Sequence, residues 1–160
     1  MKRSLPILLA LLLFTVCFAR AEGDARMDEC GTGARTAAVT TEEEHTAMKI
    51  WIGGTAFPAV LEDNDTARAF AALLPMTLHM TELNGNEKYH YLMDPLPAAP
   101  ERVGHIEAGE IMLFGEDCVV VFYQSFDTPY SYTRIGRIVS AESLAERLGP
   151  GDADVAFELP

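Results

Sequence analysis

The sequence is poor in cations, in cysteine and in tryptophan. Lys and Arg number 12 against 24 Asp and Glu, a formal net charge of −12. That excludes a nucleic-acid partner, which needs a basic footprint to release phosphate counterions. Three cysteines cannot all pair within one chain. Also lacking are Gly-x-Ser-x-Gly, a phosphate-binding glycine loop and His-Glu-x-x-His. Hydrolase, nucleotide and zinc-protease chemistry therefore have no motif to rest on. No cofactor and no metal is implied. His79, His90 and His105 lie far apart in the chain, and Cys118 sits in an apolar run that offers a nucleophile neither exposure nor a base.

What is present is a globular composition, 49% apolar and 22% charged over 160 residues, enough for one domain. Part of the apolar content is an address. Lys2 and Arg3 precede an apolar run from Leu5 to Ala19, 15 residues and short of the ~20 needed to span a bilayer. The run ends in Ala19-Arg20-Ala21, small residues one apart, the pattern of a secretory cleavage site. Residues 1–21 read as a signal peptide, which makes the protein exported, periplasmic or extracellular. An uncleaved segment would be its one contact with a membrane. A lipid anchor on Cys17 is the remaining alternative, and the bulk of Val16 speaks against it. Cleavage removes Lys2, Arg3, Arg20 and Cys17, leaving 139 residues with nine cations against 24 acids, a charge of −15. Cys30 and Cys118 remain. They could pair in an oxidising compartment, or Cys118 could pack as a small core residue.

Residues 22–46 contain few large apolar side chains, a flexible Gly31-Thr32-Gly33 and a Glu42–Glu44 charge run. No helical or strand period appears, so the segment reads as a disordered linker. Thr41 with Glu44 imitates a capping box, but no apolar helical face follows. His45 beside the run is a poor ligand candidate.

Residues 47–160 carry the folded pattern. Met48 to Ile52 and Thr55 to Leu61 read as a hairpin turning at Gly53-Gly54. Phe57, Ala59 and Leu61 share a face, and Pro58 predicts an edge or a bulge. Asp63 or Asn64 caps a helix whose Ala67, Phe70, Ala71 and Leu74 fall at i, i+3, i+4, i+7. Asn64-Asp65-Thr66 also matches a glycosylation pattern, but capping accounts for it. Met76 to Glu82 alternates with Met76, Leu78 and Met80 inward. Asn84-Gly85-Asn86 is a turn, and Tyr89 and Tyr91 share a face on the strand after it. His90 between them reads as a solvent-facing strand residue. Glu110 to Phe114 and Cys118 to Tyr123 are strands, the second apolar on both faces. Thr133 to Val139 is extended. Ser140 is the expected cap of a second helix carrying Ala141, Leu144, Ala145 and Leu148, stopped by Gly149-Pro150-Gly151. A final strand alternates Val155, Phe157 and Leu159 against Asp154, Ala156 and Glu158. The fold class is mainly β: a small closed barrel with two short covering helices.

That order resembles the cyclophilin barrel, and local sequence agrees. Thr55-Ala56-Phe57-Pro58-Ala59-Val60-Leu61-Glu62-Asp63, followed by the Thr66 to Leu74 helix, resembles the second strand and first helix of cyclophilins. Ile135-Gly136-Arg137-Ile138-Val139-Ser140 and the helix to Leu148 resemble their penultimate strand and last helix. Asn84 to Tyr89 and Tyr130 to Gly136 are similar to a family of minimal bacterial cyclophilin-like proteins, and the match spans nearly all of Met48 to Leu159. The resemblance implies peptidyl-prolyl isomerase activity, but the residues that would carry it depart. Cyclophilins place an Arg on the strand after the first helix, followed by Phe-x-x-Gln-Gly-Gly. Here that stretch is Leu78-His79-Met80-Thr81-Glu82-Leu83, with no Arg and no Gln-Gly-Gly after it. Tyr132 stands where the family has a His. The family's tryptophan has no counterpart, since Trp51 lies on the first strand.

The missing Arg matters chemically. Prolyl rotation faces a barrier of ~18–20 kcal/mol from amide conjugation. A guanidinium aimed at the proline nitrogen in an apolar pocket lowers it electrostatically. Arg134 is the candidate substitute, because alternation puts it on one face with Tyr130 and Tyr132. It could equally be an exposed Arg stacked on a tyrosine. Arg137 aligns with a non-catalytic strand residue and reads as surface. Tyr123 and Phe126 are further groove candidates, with Phe122 read as core, and Asn84 and Glu87 stand in second rank. The expected ligand is an extended or proline-containing peptide or a small molecule, bound with little isomerisation. The alternatives are an active isomerase using Arg134 and a non-catalytic interaction domain of an envelope complex.

Overall fold

A computed structural model describes residues 46–160. The signal segment and the expected linker up to His45, with Cys17, Cys30, Thr41 and Glu44, lie outside the described residues, so the Cys30–Cys118 pairing does too. Thr46 already belongs to the domain, where its carbonyl accepts from the Leu61 N–H at 2.9 Å.

The chain begins with β1 (Ala47–Ile52) and β2 (Thr55–Leu61), then α1 (Asp65–Ala71). Next come β3 (Met76–Leu83), β4 (Glu87–Tyr91), β5 (Glu101–Arg102), β6 (His105–Ile106), β7 (Glu110–Phe114), β8 (Cys118–Phe122), β9 (Phe126–Asp127) and β10 (Ser131–Ile138). It ends with α2 (Leu144–Leu148) and β11 (Ala153–Glu158). The longer strands run in the order β2-β1-β11-β3-β4-β8-β7-β10, and β10 returns to pair with β2. Every pairing is antiparallel, so the sheet is a closed barrel. The two-residue β5 extends β10 at one end, and β6 pairs with β9 outside the barrel. Neither helix is long and apolar enough to cross a membrane.

Alternation builds the interior. Met48, Ile50 and Ile52 from β1, Phe57, Ala59 and Leu61 from β2, and Val155 and Phe157 from β11 meet in one buried cluster. Each large side chain so buried contributes roughly 1.5–3 kcal/mol. Phe70 of α1 packs edge-on against Phe157, ring centroids 5.4 Å apart, and Leu144 and Leu148 of α2 join the same core. Asn64 caps α1, its side-chain oxygen accepting from the Ala67 N–H at 2.8 Å.

The barrel closes where β10 meets β2. A Cβ on Gly136 would lie 2.4 Å from the Val60 carbonyl oxygen, so only glycine lets these backbones approach. The β10 register also shifts between Arg134 and Gly136, a bulge that bends the strand into the seam. On the other flank of β1, the Trp51 indole Nε1 donates to Glu158 of β11 at 2.8 Å.

Three expectations change. Pro58 marks neither an edge nor a bulge, because β2 is paired on both sides. Its carbonyl accepts from the Val139 N–H at 2.8 Å, so the N–H it lacks would face β10 just where that pairing ends. Ser140 does not cap α2. That helix is only five residues long and begins after Ser143, at φ +62°. His90 does not face solvent freely: it is half-buried, and its Nδ1 lies 2.8 Å from the His79 carbonyl oxygen.

β8 is buried on both faces, as its composition requires. Val119 and Val121 point into the barrel. Cys118, Val120 and Phe122 point outward and pack with Ile106, Met112 and Tyr132. This outer cluster is the floor of the site.

Candidate functional site

The outer faces of β4, β8 and β10 line a cleft of about 490 Å³. Register decides which side chains reach it. Glu87, Tyr89 and Tyr91 alternate along β4 opposite Phe122, Val120 and Cys118 of β8. Tyr132 approaches from β10, and Tyr130 from the loop before it. Phe114, at the end of β7, and Phe126, from β9, complete the aromatic wall.

The rings form a connected series. Phe122 packs on Phe126 at 5.8 Å and on Tyr132 at 5.5 Å. Tyr132 meets Phe114 at 5.5 Å, and Phe114 meets Tyr130 at 6.1 Å. On the opposite wall Tyr89 and Tyr91 meet edge-on at 5.7 Å. Tilted and edge-on packing fixes the rings without filling the space between the walls. Tyr91, Phe114 and Tyr130 stay exposed at the rim, whereas Tyr132 is buried.

The polar lining combines the amides of Asn84 and Asn86, the carboxylates of Glu87 and Asp127, and hydroxyls. Asn84, at φ +57°, opens the turn into β4 and brings Asn86 to the cleft. The Asn86 backbone carbonyl accepts from the Tyr123 and Gln124 N–H groups, while its side-chain Oδ1 is buried with no partner. Burial holds the Glu87 carboxyl above its ordinary range, and the nearby Glu82 charge adds to that. Among the described residues Glu87 has no hydrogen-bonding or ion-pairing partner. Asp127 also lines the cleft, but His105 Nδ1 lies 2.6 Å from its carboxylate. Cys118 lies in the floor with its thiol pushed up to about 11, by burial first and by Asp117 second, which disfavours the thiolate. Burial likewise raises the Tyr132 hydroxyl.

The cleft thus brings together Tyr130, Tyr132, Phe126, Asn84 and Glu87. It does not include Arg134. Cross-strand pairing with Met112 puts Arg134 on the same outer face as Tyr132. Its guanidinium, however, is held at the side by acids: Nε donates to Glu101 at 3.2 Å and Nη1 bonds Glu110. Burial works against its charge, and the two carboxylates more than offset that.

Tyr123 goes elsewhere. It is buried, and it lines a second depression beyond the Asn84–Gly85 turn. Its hydroxyl donates to the Glu82 carboxylate at 2.8 Å and is pushed up to about 12, by burial first and by Glu82 second. Beside it lies Lys88, fully buried, with Nζ bonded to Glu82 and donating to the Gly149 and Gly151 carbonyls at 2.8 and 2.6 Å. The same ammonium sits 5.1 Å from the Tyr123 ring centroid.

Sequence reasoning did not find Phe114, Asn86, Tyr89 or Tyr91 as cleft residues. The signal was available for Tyr89, which shares its face with Tyr91 one step from Glu87. Phe114 ends an apolar run and gives no sign of exposure. Among the described residues no cluster of three or more His, Cys, Asp or Glu is arranged to hold a metal ion.

A model of the cyclophilin-like family matches residues 50–158. Among solved structures, the solution structure of a hypothetical protein from Archaeoglobus fulgidus is similar at 18% identity and a TM-score of 0.48. The similarity covers 72% of this chain and 95% of that one. No curated protein matches the sequence.

Proposed function

The chain belongs to the cyclophilin-like family, and on that premise we propose that its domain is a binding module. Its cleft takes an extended or proline-containing peptide, or a small ligand, and does little to speed prolyl isomerisation. The observation that carries this reading is the lining itself: among the described residues, six aromatic rings and no Lys, Arg or His. Rings supply apolar contact and stacking at little entropic cost, which suits binding. Catalysis of prolyl rotation needs a donor aimed at the amide nitrogen, and Arg134 is already occupied by Glu101 and Glu110. The N-terminal pattern adds export to this reading, with release after Ala21.

A prolyl-peptide isomerisation assay on the full chain tests the proposal. The expected rate is near the uncatalysed background. A clear acceleration that Arg134→Ala abolishes would establish the isomerase reading in its place. The mass of the secreted protein tests the processing step, with the expected N-terminus at Glu22.

A further inference from the structure

We infer that the cleft selects a cationic side chain: a guanidinium or ammonium on an apolar stem, as Arg or Lys presents from an extended peptide, with its charge at Glu87 and its stem against the tyrosines. The inference rests on the binding reading above and specifies the ligand's charge.

Charge complementarity carries it. Among the described residues the lining contains two carboxylates and no cation. One of them, Asp127, already faces His105. The other, Glu87, is half-buried and has no polar partner among the described residues. An apolar or anionic occupant would dry that carboxylate further without pairing it, and a neutral donor would hydrogen-bond it without balancing its charge. A cation would pair it and would also be attracted to the negative faces of the rings. Asn86, in the same wall, holds a buried oxygen with no partner among the described residues, a second acceptor. The raised Glu87 carboxyl fits this picture, because burial and the nearby Glu82 both penalise its charge. Tyr91, Phe114 and Tyr130 form an exposed aromatic rim against which an apolar stem can pack. The chain's formal charge of −12 favours the approach of a cation over long range.

Matched peptides test the inference on the full chain. Acetylated, amidated Ala-X-Ala with X as arginine or citrulline varies charge at nearly constant shape, and X as glutamate reverses its sign. Calorimetry gives affinity, and NMR shifts of Tyr89, Tyr130 and Tyr132 report where each peptide sits. The arginine peptide should bind roughly tenfold tighter than the citrulline peptide, and the glutamate peptide weakest. Glu87→Gln should collapse the arginine-to-citrulline ratio towards one. Free ethylguanidinium separates the sources. Equal affinity assigns the site to a small cation and weaker affinity to a peptide side chain, and charge selection stands in both cases. Arginine and citrulline peptides that bind equally overturn the inference and leave the binding reading intact. A series in which no peptide moves the cleft signals overturns both. The wild-type comparison decides the matter even if Glu87→Gln fails to fold.

Discussion

Glu87 and Lys88 are neighbours on β4, and they meet opposite conditions. Lys88 points into the barrel and is fully buried, with each ammonium proton provided for by Glu82, Gly149 or Gly151. Glu87 points outward into the cleft with no polar partner among the described residues. Both are charged groups removed from much of the water. The difference is whether the fold supplies the partner. A buried charge whose bonds are all made is part of the architecture, and here it ties the α2–β11 connection to β3 and β4. A partly buried charge left without bonds remains available to something that arrives later.

The comparison breaks first at Lys88. Lys88→Met should cost about 3–5 kcal/mol, because it leaves the half-enclosed Glu82 charge without its cation and the Gly149 and Gly151 carbonyls without their donor. Urea unfolding would measure the loss, and a change under 1 kcal/mol would show the cluster to be incidental.

Tyr123→Phe removes one donor from the same carboxylate and should cost about 1.5–3 kcal/mol. It also has a signature in alkali. The Tyr123 hydroxyl is raised in the folded state to about 12, above its ordinary 10. Its contribution is therefore complete below pH 10 and is lost as pH rises towards 12. The variant should lack that alkaline loss in its unfolding midpoint.

The two glutamates sharpen the contrast with opposite signs. Burial acts to raise Glu82, but Lys88, Tyr123 and the Gly85 N–H outweigh it and hold its pKa below 4.5. Its stability contribution is present above pH 4.5 and lost as pH falls through the lowered value. Glu87 is held above 4.5, so its contribution is present below pH 4.5 and lost as pH rises through the raised value. Glu82→Gln should flatten the first dependence and Glu87→Gln the second, each by less than the Tyr123 effect. Unfolding midpoints that shift with pH in the same direction for both variants would break the contrast.

The smallest effect belongs to the rim. Tyr130 is 60% exposed, and its removal by Tyr130→Ala should change stability by no more than ~0.5 kcal/mol. The same variant should weaken cleft binding in the peptide titrations. A large stability loss would mean that the ring serves the fold rather than a ligand.

Most of the barrel was legible because its strands obey a period of two. Phe57, Ala59 and Leu61 announced their face, and the uniformly apolar Val119 to Phe122 announced burial on both. The seam was legible only as a resemblance around Ile135-Gly136, since a forbidden Cβ depends on the partner strand. The three two-residue strands, β5, β6 and β9, carry no period at all. Ser140 looked like a cap because propensity is local, yet the chain turns further on, at Ser143. For the site, alternation placed Arg134 on the face of Tyr130 and Tyr132, and pairing with Met112 keeps it there. What alternation does not contain is Glu101 and Glu110, distant in sequence, which draw the guanidinium out of the cleft. Lys88 escaped notice for a similar reason: a lysine beside a turn reads as solvated until the carbonyls that enclose it are known.

The bond from Trp51 to Glu158 spans 107 positions of the chain. β1 therefore cannot complete its place until almost the whole domain has been made and gathered. Such non-local closure belongs to the slow end of single-domain folding, on the order of milliseconds to seconds. The only tryptophan sits at that junction. Its fluorescence is a built-in clock for the meeting of the first and last strands, separate from any earlier signal of sheet formation.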